Sequence, residues 1–244
     1  MHNIYPAVLF FVTLAGGSIP LYFKALDDKR MHILLAFSGS FLLSITFMHL
    51  LPETFSELGS NAGLYLLIGF FLQLLLQRIT QGLEHGHVHT HTDDHGHAHV
   101  PILSIMLGLS VHAFMEGLPL GFNYQLHATE PSLYLAVAVH KLPEAMLVAS
   151  LVSTTQSKQK ALFTLIIFAL ITPLSGILAH TLGAAYYQMT RAVIILIPIV
   201  AGAFIHIATT IFFESGTKHH MMTRQKTIAI ITGMGLGFIT LLFE

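Results

Sequence analysis

Residues 111–122 read VHAFMEGLPLGF and residues 138–149 read AVHKLPEAMLVA. Each is an apolar stretch interrupted by a His and, four residues later, a Glu: His112 and Glu116 in the first, His140 and Glu144 in the second. On an α-helix that spacing stacks the two side chains on one face, with Cβ atoms about 5–6 Å apart. Ionisable groups in membrane-length apolar helices are costly and persist where they pair or line an ion path. Two stacked His–Glu faces therefore predict a helix pair that offers imidazole and carboxylate to a shared divalent cation.

The four positions are centred on residue 128, inside the polar connection NYQLHATEPS at 123–132. An antiparallel helix pair would hold both dyads at nearly the same depth, close to the bilayer midplane where secondary transporters bind substrate. Two imidazoles and two carboxylates suit Zn2+, and also Fe2+ or Mn2+. The competing reading is two helix-packing pairs that neutralise each other as polar glue. Pro119 and Pro143 lack the amide donor, which frees the carbonyls of Met115 and Val139 to kink the helix or to coordinate an ion. Lys141 is the odd residue, because an ammonium beside a cation site repels metal. It must point away, pair with a carboxylate or stand in the place of a second ion, and the last is favoured.

Outward from this stretch the chain is equally apolar. Of 244 residues, 54% are hydrophobic and only 9% charged, with mean hydropathy +0.71, which excludes an ordinary soluble domain. The formal net charge is −1, so no basic surface points to nucleic acid as a partner. With no cysteine, a metal must be held by nitrogen, oxygen or thioether donors. Apolar stretches near the length needed to cross about 30 Å of hydrocarbon as helices run over 5–23, 33–52, 62–77, 101–123, 131–152, 161–189, 192–213 and 227–243. The expectation is an all-α membrane protein of eight transmembrane helices forming a single integral membrane domain over 1–244. The first stretch lacks a basic flank and a good cleavage context, and so reads as a span.

Taking alternate connections, Lys24, Lys29, Arg30, Arg78, Lys158, Lys160, Lys218, Arg224 and Lys226 fall on one side and only Arg191 on the other. The excess of basic residues marks the cytoplasmic side. Both termini are then expected outside, in an integral plasma (inner) membrane protein. The connection between spans three and four, 81–100, is then a cytoplasmic loop, and it carries His85, His87, His89, His91, His95, His97 and His99 with Asp93 and Asp94 among them. Such a biased segment cannot pack a core but offers many imidazoles for metal capture. The bland alternative is a solvated loop with accidental His enrichment.

Weaker candidates remain. His49 and Glu53 in MHLLPETF suggest an outer entrance that funnels cations inward, against the reading of a plain helix end with a proline. His180, His206 and Glu214 are individually weak, since a lone His on an apolar helix is more often structural. SGSF before His49 and Glu53 echoes AGAF before His206 and Glu214, as an inverted repeat would.

These residues resemble the ZIP (Zrt/Irt-like protein) family of divalent metal transporters, whose fourth and fifth spans carry motifs of the types HSxxEGLALG and HKxPEAxAL. Here they read HAFMEGLPLG at 112–121 and HKLPEAMLVA at 140–149. HLLPE at 49–53, TPLSG at 172–176 and AGAF at 201–204 extend the likeness along the chain. The resemblance implies a helical bundle with inverted repeats and import of divalent metal, typically zinc, into the cytoplasm, with His112, Glu116, His140 and Glu144 as the primary site. Some members hold a second metal with an Asn after the first His and an Asp after the second; Ala113 and Lys141 stand there instead, which implies a single ion. The expected partners are divalent metal ions (Zn2+ foremost, with Fe2+, Mn2+ and Cd2+ as alternatives), the lipid bilayer and a homodimeric second copy, with no resident cofactor and no enzymatic activity. Two rivals are a cation-diffusion-type exporter, which calls for six spans and intramembrane Asp ligands, and a membrane metallohydrolase, for which no HExxH occurs.

Overall fold

The structure, a computed structural model, describes residues 4–23, 26–80, 91–92, 98–99, 102–121, 130–185, 189–214 and 223–243. It is almost wholly helical, in keeping with an all-α membrane protein. The helices are α1 (Ile4–Tyr22), α2 (Asp28–Ile45), α3 (Leu51–Leu58), α4 (Ala62–Thr80), α5 (Ile102–Gly121), α6 (Glu130–Thr155), α7 (Lys158–Ala185), α8 (Met189–Glu214) and α9 (Arg224–Thr240). Among the described residues, the one departure is a two-rung antiparallel bridge pairing His91 with His99 and Thr92 with Ala98.

Helix starts follow their capping chemistry. Asp27 accepts from the Arg30 amide at 2.8 Å ahead of α2, and Thr223 accepts from the Lys226 amide at 3.3 Å ahead of α9. Between α2 and α3 the chain widens into a π-helical turn, Thr46–Leu50. Pro52 follows at once and cannot donate to the Met48 carbonyl, a setting in which a widened turn is common. The run ends at Gly59, whose φ of 54° and ψ of −137° suit only glycine.

Among the described residues, six helical segments are long and apolar enough to cross a membrane. The longest, Asp28–Ile79, has 52 residues and contains the Gly59 break, and α9 has 17 residues. On α4 the residues Leu64, Leu67, Phe71 and Leu75 form an exposed apolar stripe, the face that lipid would cover. Its opposite side buries Gly69, Gln73 and Leu76.

Helices α1, α5, α6 and α7 pack chiefly on one another, as do α2, α4, α8 and α9; α2 on α6 and α4 on α5 join the two groups. Small residues set the closeness. A Cβ on Gly117 would collide with Ser175 Oγ and the Thr172 carbonyl, and one on Gly121 with the Gly176 carbonyl, so α5 and α7 approach backbone to backbone. Thr172 Oγ1 donates to the Ala113 carbonyl across this seam at 2.9 Å. Prolines sit inside α1, α5, α6, α7 and α8, as membrane helices tolerate when neighbours satisfy the freed groups.

Candidate metal centre

His112 and Glu116 project from the middle of α5, and His140, Lys141 and Glu144 from α6; all five are at most 2% exposed. Their convergence follows from the spacing. His112 pairs across the helices with Glu144, and His140 with Glu116, and each pair is centred on residue 128, as an antiparallel register about that connection requires. His112 Nε2 lies 3.4 Å from Glu116 Oε1 and 3.8 Å from Glu144 Oε1, and His140 Nε2 lies 3.8 Å from Glu116 Oε1. The imidazole rings stand nearly perpendicular, 6.1 Å apart at 86°.

Lys141 does not point away from this group. Its Nζ bridges the two carboxylates, meeting Glu116 Oε2 and, at 2.5 Å, Glu144 Oε2. The ammonium also stands over the Phe168 ring of α7, 5.1 Å from its centroid, a cation–π contact that fixes its direction. The result is a division of each carboxylate. Both Oε2 atoms face the lysine, while both Oε1 atoms turn toward imidazole nitrogen.

Among the described residues, His112 Nε2, Glu116 Oε1 and Glu144 Oε1 have no hydrogen-bond partner. Buried polar atoms are normally paired, so a convergent set of unpaired nitrogen and oxygen donors is chemically suited to a cation. One donor atom each from His112, Glu116 and His140 lies within 4.8 Å of the others. Donors 2.0–2.1 Å from a tetrahedral zinc ion stand roughly 3.3 Å from one another. The Nε2–Oε1 separations of 3.4–3.8 Å are close to that, so these side chains need little movement to hold such an ion. Two carboxylates against one ammonium leave the cluster with one negative charge when both imidazoles are neutral, a sign that attracts a cation.

The remaining sequence candidates are placed elsewhere. His49 is buried in the π-helical turn, where its Nε2 is 3.0 Å from Thr240 Oγ1. Thr240 donates its own proton to the Gly237 carbonyl at 2.6 Å, so His49 is the donor and ties the π-helical turn to the end of α9. Glu53 is half-buried on α3. Neither belongs to the α5–α6 cluster. His180 is exposed on α7, and His206 faces α4. His85, His87, His89, His95 and His97 lie outside the described residues, and for His91 and His99 only the backbone is described. Phe168 and Thr172 were not legible as site residues, because their role depends on α7 lying beside α5 and α6; the TPLSG stretch was the single hint.

A membrane-embedded helical bundle built around a buried cluster of imidazole, carboxylate and ammonium defines a membrane protein of the metal-handling class. The chain belongs to the ZIP zinc transporter family, whose description its residues 5–104 and 80–243 match. It is similar to zinc transporter ZIP9-B of Xenopus laevis, 30% identical over 162 residues that cover 63% of this chain and 52% of that protein. It is also similar to zinc transporter ZIP9 of Xenopus tropicalis, 29% identical over the same length. The match thus spans about half the length of the frog relatives, 52%. Zinc transporter ZIP1 of Takifugu rubripes is 28% identical over 291 aligned positions covering 94% of this chain and 92% of that protein.

Proposed function

We propose that this protein imports divalent metal, zinc foremost, into the cytoplasm by alternating access around His112, Glu116, His140 and Glu144. The observation that carries the reading is the convergence of Nε2 and Oε1 atoms from two antiparallel helices, buried and, at three of the four, without hydrogen-bond partners among the described residues. Membership of a zinc transporter family supports it. Lys141 supplies the charge that a second ion would otherwise bring, so one metal ion occupies this centre at a time. Fe2+, Mn2+ and Cd2+ fit the same donors.

Eight crossings follow when the long segment is divided at Gly59 and α9 is added to the six. With the basic connections on the cytoplasmic side, both termini lie outside in the plasma (inner) membrane, and the whole of 1–244 forms one integral membrane domain. The 81–100 loop then receives metal on the cytoplasmic side. His49, in the π-helical turn, and Glu53, on α3, line the outer approach, and two copies assemble as a homodimer. Uptake of Zn2+ into proteoliposomes, with Fe2+, Mn2+ and Cd2+ in competition, tests the reading. Saturable zinc uptake that vanishes in Glu144→Ala is expected; uptake no faster than in empty vesicles would overturn it.

A further inference from the structure

A second buried polar group lies along the seam between α4 and α8. Gly69 and Gly202 bring these helices to backbone contact, since a Cβ on the first would collide with the Ile199 carbonyl and one on the second with the Leu66 carbonyl. One to two turns further along α4, His206 of α8 sits 4% exposed. Its ring stands edge-on to Phe70 at 4.7 Å and 88°, and its Nε2 is 2.8 Å from Gln77 Oε1. Gln77 is one turn beyond Gln73, and Phe70 nearly one turn before it. Both touch the same imidazole, which places Gln73 between them on the stripe that faces His206.

Gln73 is 0% exposed, and neither its amide nitrogen nor its amide oxygen has a hydrogen-bond partner among the described residues. Leaving an amide unpaired away from water costs about 1–3 kcal/mol on protein scales, and the cost is not relieved in a bilayer. The imidazole carries the complementary deficit. Thr210 Oγ1 donates its proton to the His206 carbonyl at 2.7 Å, so it cannot also donate to the ring. Gln77 Oε1 is an acceptor, so Nε2 carries the hydrogen and Nδ1 is left with its lone pair. That Nδ1 is buried and has no partner among the described residues. An imidazole whose far nitrogen donates to an amide oxygen is the arrangement that orients histidine toward a metal.

We propose that His206 Nδ1 and the Gln73 amide oxygen form a second cation station, which holds the transported divalent ion transiently after it leaves the α5–α6 centre. The donor set is neutral. It therefore binds a partly hydrated cation weakly and releases it, unlike the carboxylate-rich centre, which has net negative charge. Position supports the assignment. Leu76, Met115 and Ala203 pack as one buried cluster, which links this seam to the α5 turn carrying Glu116. The far end of α4 runs directly into the His-rich 81–100 loop. The station thus sits on the helix that precedes the His-rich stretch in sequence, one packed seam away from the first centre.

The inference rests on the chain being a cation carrier, and the test separates the two. The full-length chain with its seven loop histidines changed to Ser is loaded with Cd2+ in detergent, and bound ions are counted by equilibrium dialysis and by 113Cd NMR. The expected result is two resonances. The His112→Ala/His140→Ala double variant removes one and His206→Ala removes the other, with a matching loss of one ion per protomer in each. Gln73→Leu keeps the volume and removes only the amide, so it leaves or raises thermal stability while weakening the His206-dependent resonance at least tenfold in affinity. A single resonance that is lost in the double variant and untouched by His206→Ala and Gln73→Leu overturns the station alone. Absence of bound Cd2+ in the loop-silenced parent overturns both readings.

Discussion

Lys141 and Glu144, one turn apart on α6, meet at 2.5 Å between Nζ and Oε2, and the same ammonium reaches Glu116 Oε2 on α5. One buried cation therefore ties together the two carboxylates whose other oxygens face the imidazoles. Removing it leaves two buried negative charges without a fixed counter-ion, and breaking a buried ion pair costs about 3–5 kcal/mol. Lys141→Met is expected to lower the thermal midpoint and to slow zinc uptake by more than ~10-fold, about 1.4 kcal/mol on an energy scale. Unchanged uptake and stability in this variant would show that the lysine is dispensable.

Lys141→Asp combined with Ala113→Asn replaces the ammonium and a methyl with oxygen donors at the same place. The double variant is expected to gain a second bound ion in the α5–α6 centre, where the parent holds one. Counting should be done with the loop histidines silenced and His206→Ala present, so that neither set of imidazoles contributes. Anomalous diffraction from two ions in the unmutated centre would contradict the single-ion assignment.

His112→Ala and Glu144→Ala are expected to abolish uptake while membrane insertion and helix content persist. Imidazole nitrogen and carboxylate oxygen bind metal only when deprotonated, so each proton competes with the ion and affinity falls as the pH is lowered. Titrating zinc binding from neutral to acid pH, with circular dichroism to follow folding, checks the sign. Affinity that rises toward acid pH would remove these donors from the site.

Deleting residues 85–99 is expected to leave the rate of zinc uptake within about twofold, roughly 0.4 kcal/mol, and to lower the number of weakly bound metal ions. On the proposed topology the loop would stand on the receiving side of the path and not within it. Complete loss of uptake in a correctly inserted deletion variant would make the loop part of the conduit.

Gly117→Val forces a branched side chain between α5 and the Thr172 carbonyl and Ser175 Oγ. Overpacking typically costs about 1–3 kcal/mol, and here the strain falls one residue from Glu116. A lower thermal midpoint together with slower uptake is the expected result. Thermal unfolding and transport at matched protein density measure it, and a variant as stable and as fast as the parent would mean that the α5–α7 seam has slack.

What could be read from the chain alone was what is local. Apolar length marks membrane helices, and the 3.6-residue turn puts His112 above Glu116 and His140 above Glu144 whatever surrounds them. The symmetry of the four positions about residue 128 even anticipates the pairing of His112 with Glu144 and His140 with Glu116, because a short connection leaves an antiparallel hairpin as the simplest arrangement. Apolar length separates the stretches 33–52 and 62–77, whereas the place of the break, at Gly59 with its φ of 54°, came only from the structure.

The rest depends on which helices are neighbours, and no periodicity encodes that. The direction of Lys141 was open between three choices until α5 and α7 were placed beside α6, putting Glu116 and Phe168 within reach of its ammonium. His49 reads as an entrance residue in sequence, and only the packing of α9 shows that its ring also hydrogen-bonds a hydroxyl 191 positions away. Gln73, Gln77 and His206 look like scattered polar residues in apolar helices and become one group only through the α4–α8 seam. Tertiary structure decides these cases because a buried polar atom is satisfied, or left unsatisfied, by whatever stands within about 3 Å of it. In a bundle that neighbour comes from another helix far along the chain.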